Sequence, residues 1–182
     1  MLTKTQTVRR MPWVAPGSSH MSLTMRACVS WATLEEHDKV LDLCCGDGQM
    51  LSYLNQRMRL TLCGLCETPE QARAVRESLM DVDVISGRMD DIPWRETTFN
   101  AVLLSAALPA DDARRVLAET LRVLRDGGQL VLTVPYLRAR ETGLPAREVM
   151  RLMQETGFHE VSCRTTLAGS VIVGWKKAKK AE

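Results

Sequence analysis

The residues with the clearest chemical potential lie between positions 39 and 51, KVLDLCCGDGQML. An apolar run carrying one acid, Asp42, ends in Cys44 and Cys45, then Gly46 and Gly48 follow and a helical pattern resumes. Glycines placed between a buried strand and a helix permit positive φ and let a ligand approach the main chain closely. Such a turn suits a dinucleotide or another adenosine compound. The dinucleotide fingerprint Gly-x-Gly-x-x-Gly needs a third glycine at position 51, where this chain has Leu51. Asp42, inside the strand end, opposes a pyrophosphate and suits a ligand with an ammonium group.

Cysteine is the second candidate chemistry, with six in the chain. Cys63 and Cys66 have the CxxC spacing of a zinc site, but on an extended strand residues three apart face opposite sides. Cys63 therefore reads as core and Cys66 as strand tip. A cluster of Cys44, Cys45 and Cys66 at the edge of the turn could serve redox or thiophilic-metal chemistry. Small apolar residues filling tight space is the simpler reading, and reduced thiols are expected throughout. No metal site is assigned. Cys28 and Cys163 read as core. Of the three histidines, His37 precedes the first strand on the wrong sheet end and His159 starts a late, exposed strand; only His20 could overhang a pocket. No catalytic side chain is assigned.

The elements that must position these residues alternate regularly. Buried strands are expected over 39–44, 60–66, 82–86, within 99–108 and over 129–135. Helices are expected over 48–58, from Thr68-Pro69 (a capping box with Gln71), over 111–128 and over 145–157. In the 111–128 helix, Val116, Leu117, Leu121 and Leu124 share a face, and Gly127-Gly128 stops it. Residues 159–166 and 169–175 read as an antiparallel pair. The fold class is α/β: a Rossmann-like, doubly wound sheet of seven strands, five parallel plus a C-terminal antiparallel hairpin, with helices on both faces. Residues 1–30 read as an N-terminal arm and cap helix over the active-site end, with Trp13 and Trp31 as candidate cover. Residues 31–176 form the main domain and 177–182 a disordered basic tail.

A chain of 182 residues with a net charge of +2 is ordinary for one globular domain and gives no electrostatic reason to expect nucleic acid. No apolar run reaches the ~20 residues of a membrane span, and no signal-peptide pattern opens the chain. A cytoplasmic protein is expected, with no membrane partner; a homodimer stays open.

VLDLCCGDGQML resembles the first motif of class I S-adenosylmethionine-dependent methyltransferases, V-L-D-(L/I)-G-C-G-(T/S)-G. The resemblance continues through GLCETPEQARAVRE, ISGRMDDIPWRETTFNAVLLSAAL and ETLRVLRDGGQLVLTVP, in order, over about residues 39–175. It implies S-adenosylmethionine as cofactor, with Asp42 anchoring the methionine ammonium group, directly or through water. Gly46 and Gly48 would let the loop pass beside the cofactor. Met89 would offer main-chain contact to adenine with Asp90 nearby, and Ser105 would lie beneath the sulfonium.

The chain departs from the family pattern at several points. Cys44 stands where the family has glycine, whereas cysteine at Cys45 is common there. Cys66 takes the place of the acid that grips the ribose hydroxyls. Glu67, one residue later, can substitute only if the strand has already ended. Arg88 and Asn100 replace two further acids. LSAALP lacks the Asn/Asp-Pro-Pro-aromatic segment of nucleic-acid amino-methyltransferases, which favours a small-molecule methyl acceptor. Three readings follow: a methyltransferase, a degenerate domain with weak or no cofactor binding acting as a scaffold or partner, and a thiol-based metal or redox protein.

Overall fold

The structure is a computed structural model that describes residues 21–136, 143–167 and 169–178. Expectations placed on Trp13 and His20 lie outside the described residues. The strands are β1 (Lys39–Asp42), β2 (Thr61–Cys66), β3 (Val82–Ser86), β4 (Phe99–Leu104), β5 (Leu124–Pro135), β6 (Phe158–Thr166) and β7 (Gly169–Lys176). They form one seven-stranded sheet in the order β3-β2-β1-β4-β5-β7-β6. β3, β2, β1, β4 and β5 run parallel, while β7 pairs antiparallel with both β5 and β6. The strand order reverses beside β1, the place where open α/β sheets bind ligands at their carboxyl ends.

Helices α1 (Leu23–Trp31), α2 (Gln49–Asn55) and α3 (Pro69–Ser78) cover one face; α4 (Ala113–Val123) and α5 (Ala146–Thr156) cover the other. Alternation along the strands builds both cores. Val40, Leu62, Ala101, Leu103 and Val131 face the first helix set, and Leu41, Cys63, Val102, Leu130 and Leu132 face the second. The helix α3 begins as its sequence requires. The Thr68 hydroxyl accepts from the Gln71 N–H, the Gln71 side chain accepts from the Thr68 N–H, and Pro69 opens the first turn.

The largest boundary differences from expectation lie where α4 meets β5. The helix α4 ends at Val123 rather than at the glycine pair, and Leu124 is the first residue of β5, opposite Phe99. The glycines instead allow an irregularity inside β5. A Cβ at Gly128 would come within 3.1 Å of the Arg125, Asn100 and Phe99 carbonyl oxygens, and the β4–β5 register shifts there. Lys176 ends β7, and its ammonium donates to the Leu124 carbonyl at 2.7 Å.

Candidate active site at the β1 turn

The main chain bends sharply after β1. The Cys45 N–H donates to the Leu65 carbonyl at 3.0 Å and the Gly48 N–H to the Cys45 carbonyl at 2.7 Å, closing the turn against β2. Gly46 and Gly48 both have left-handed φ, +52° and +78°. They need glycine for different reasons. A Cβ on Gly46 would meet nothing within 4 Å, so that face of the turn is open. A Cβ on Gly48 would sit 2.8 Å from Val75 Cγ1, so here the missing side chain lets α3 pack closely.

Asp42 lies beneath this turn. Its side chain is 1% exposed, one carboxylate oxygen accepts from the Cys44 N–H at 3.4 Å, and no salt bridge reaches it among the described residues. Burial pushes its pKa up to about 7, opposed by the Cys44 N–H and reinforced by nearby Asp47. A buried acid at a strand end with an open glycine above it suits a bound cation, and these residues fit the ammonium end of an amino-acid-bearing nucleoside.

Two cavities open on either side of Cys44, which is half-buried and lines both. The first, about 550 Å³, lies over the ends of β1, β2 and β3, against Cys66, Glu67, Ser86, Met89 and Asp90. The second, about 680 Å³, lies between the first turn of α1 and the ends of β4 and β5, against Leu23, Ser105, Ala106, Pro135, Tyr136 and Leu167. Cys44, Cys66, Glu67, Met89 and Asp90 therefore share the first cavity, and Ser105 meets Cys44 in the second. Asp42, Cys45, Gly46 and Gly48 shape the turn from below without lining either cavity.

The loop carrying Met89 and Asp90 is clamped from both ends. The Gly87 N–H donates to the Cys66 carbonyl at 3.0 Å, Glu119 accepts from the Ile92 N–H at 2.9 Å, and Arg122 donates to the Ile92 and Trp94 carbonyls. Arg88 holds both Asp90 carboxylate oxygens at 2.8 Å, and Arg115 approaches at 3.3 Å. The Arg88 guanidinium keeps the Asp90 carboxyl below the usual carboxylate range, so this acid is already occupied. Glu67 stands differently. β2 ends at Cys66, which frees the exposed Glu67 from strand alternation and lets it line the cavity.

Several sequence expectations are corrected. Cys45 and Cys66 are joined by a disulfide, with Cα atoms 5.5 Å apart, so the thiols are not all free. The turn brings Cys45 under the tip of β2, a contact between residues 21 apart that strand alternation alone could not reveal. Cys163 is only half-buried, on edge strand β6. Asn100 belongs to the opposite end of the sheet, where its amide oxygen accepts from the Lys39 N–H at 2.9 Å, so the acid it replaces does not bear on the cavities. His37 and His159 line neither cavity. Trp31 lies at the far end of α1 beside Arg164, away from both cavities. Tyr136 and Leu167 were missed, whereas Ser22 to Met25, which line the second cavity, lie within the residues read as the arm and cap helix.

Residues 40–128 match the family profile described as a methyltransferase domain. The 2-phytyl-1,4-beta-naphthoquinone methyltransferase of the Arabidopsis thaliana chloroplast is 33% identical over 113 residues, 56% of this chain and 43% of that protein. The demethylmenaquinone methyltransferase of Thermotoga maritima is 31% identical over 97 residues, 52% of this chain and 42% of that protein. The chain thus spans less than half the length of these curated relatives. In fold it resembles a TehB-like SAM-dependent methyltransferase from Corynebacterium glutamicum, with a TM-score of 0.69, 18% identity, and 85% of this chain and 86% of that one covered. Residues 40–128 thus match a methyltransferase domain, and the ordered motifs and sheet topology resemble those of class I methyltransferases, a family whose cofactor is S-adenosylmethionine.

Proposed function

We propose that this protein transfers a methyl group from S-adenosylmethionine to a small apolar acceptor. One observation carries the reading: Cys44 is the common wall of a cavity sized for a nucleoside and a second, mainly apolar one. A single turn of chain then separates donor from acceptor, which is the alignment that a displacement needs. When bound, the cofactor supplies an electrophilic methyl carbon on a sulfonium.

The residues divide the remaining work. Asp42 places negative charge under the turn for the amino-acid ammonium group, while the open face of Gly46 lets the main chain run beside the ligand. Glu67 is the acid available for the ribose hydroxyls, and the Met89 main chain is available for the adenine edge. Ser105 and the first turn of α1 border the acceptor side, so the start of α1 acts as its cover. Alignment across the two cavities is the protein's main contribution to the displacement, and the proton that the acceptor loses passes to solvent. The quinone substrates in the relatives' names, with the Ala106, Pro135, Tyr136 and Leu167 lining, point to a neutral aromatic ring as acceptor.

The test is transfer of label from methyl-labelled S-adenosylmethionine to a panel of reduced quinones and phenols. Label in the organic phase, lost in Gly46→Ala, is expected. No transfer to any member, with cofactor binding intact, would overturn the acceptor class. A degenerate domain is the rival reading, favoured by Cys66 standing in the acid's place and engaged with Cys45. It predicts weak cofactor binding or none, and no methyl transfer.

A further inference from the structure

We infer that Cys45 and Cys66 form a reversible dithiol–disulfide site that pins the glycine turn to the tip of β2. The two cysteines lie on the same side of the sheet, and their Cα separation of 5.5 Å is within the range that disulfides span. Space for the sulfurs is provided from below. Position 64 is glycine, and a Cβ there would stand 3.0 Å from Cys45 Sγ.

Both redox states have a place in this packing. Cys45 is 0% exposed within the apolar core that includes Leu51 and Leu54, where a neutral thiol is well accommodated. Cys66 Sγ lies 3.7 Å from the Gly46 carbonyl oxygen, so the reduced thiol finds an acceptor already in position. Breaking the bond therefore leaves neither sulfur stranded.

Both cysteines are buried, Cys45 at 0% and Cys66 at 1% exposed, but only Cys66 borders the first cavity, so exchange begins at Cys66. Oxidation uses a low-molecular-weight disulfide. The Cys66 thiolate, its proton released to solvent, attacks one sulfur of the reagent, breaking its S–S bond and expelling one thiolate. The Cys45 thiolate then attacks Cys66 Sγ in the mixed disulfide and expels the second. Two protein S–H bonds are lost, one protein S–S bond forms, and the reagent leaves as two thiols that take up the two protons. Excess dithiol reverses the sequence.

The mechanical consequence falls on the turn. Without the bond, the turn is tied to β2 by the Cys45 N–H on the Leu65 carbonyl, and its far end by the Gly48 N–H on the Cys45 carbonyl. With it, the turn and the strand tip move as one body. This holds whether or not the cavity takes a nucleoside.

The test treats the full chain with oxidised glutathione or with excess dithiothreitol. Peptide mapping and amide hydrogen exchange of the segment spanning residues 41–51 follow in each state. A Cys45–Cys66 cross-link that forms and is released, with exchange at least threefold slower in the oxidised form, is expected. Cys66→Ser should remove the redox difference, and Cys44→Ala should keep it. A cross-link through Cys44, no cross-link, a bond that dithiothreitol does not open, or equal exchange in both states would each overturn the inference. Failure to bind S-adenosylhomocysteine in either state would count against the nucleoside reading and leave these results standing.

Discussion

The Asp42 carboxyl is the group whose protonation links the site to stability. Its pKa is raised from 3.8 to about 7, mainly by burial. The unfolded chain releases this proton near pH 4, whereas the folded chain holds it to about pH 7. Its contribution to stability is therefore full below pH 4 and is lost as pH rises toward 7. The whole loss is at most about 4 kcal/mol. Asp42→Asn should flatten the pH 4–7 part of the stability curve measured by urea unfolding; an unchanged slope would remove Asp42 as its source. An ammonium ligand needs the ionised form, so affinity for S-adenosylhomocysteine should rise about tenfold from pH 6 to pH 8. The glycines separate function from folding. Gly46→Ala costs about 1–2 kcal/mol for its left-handed φ, with open space for the methyl, yet should weaken ligand binding tenfold or more. Gly48→Ala adds the 2.8 Å encounter with Val75 and should cost more stability than Gly46→Ala. Equal melting temperatures for the two variants would contradict that difference.

Among the elements, β5 shows where local pattern stops being informative. Leu124 falls on the apolar stripe of the preceding helix, so periodicity extends that helix; pairing with Phe99 claims the residue for the sheet instead. Tertiary pairing overrode a local signal. The opposite holds at α3, where Thr68, Pro69 and Gln71 act within one turn of chain and the start is legible from three residues. Higher along β5, Thr133 is 2% exposed, and its hydroxyl has no partner among the described residues. A buried unpaired hydroxyl costs about 1–3 kcal/mol. Thr133→Val keeps the shape and removes the hydroxyl, so it should stabilise the protein by about 1 kcal/mol, read as a higher urea midpoint with unchanged slope. A lower midpoint would mean that the hydroxyl has a partner.

At the scale of the molecule, the parallel sheet and its antiparallel C-terminal pair were legible because strand–helix alternation forces a parallel sheet, whereas the strand order was not. The Asp42, Gly46 and Gly48 pattern marks the end of its first strand. The second cavity was not legible: it is assembled from α1, β4, β5 and the β6–β7 connection, which meet only in three dimensions. The disulfide was hidden for the same reason, joining a turn to a neighbouring strand. Among the described residues no helix is long and apolar enough to cross a membrane. The central claim is that the first cavity, beside the β1 turn, takes an adenosine ligand with its ammonium group toward Asp42. Calorimetric titration of the full chain with S-adenosylhomocysteine tests it most directly. Saturable one-to-one binding at pH 8, about tenfold weaker at pH 6 and strongly reduced in Gly46→Ala, is the result predicted; no heat at millimolar ligand would contradict it.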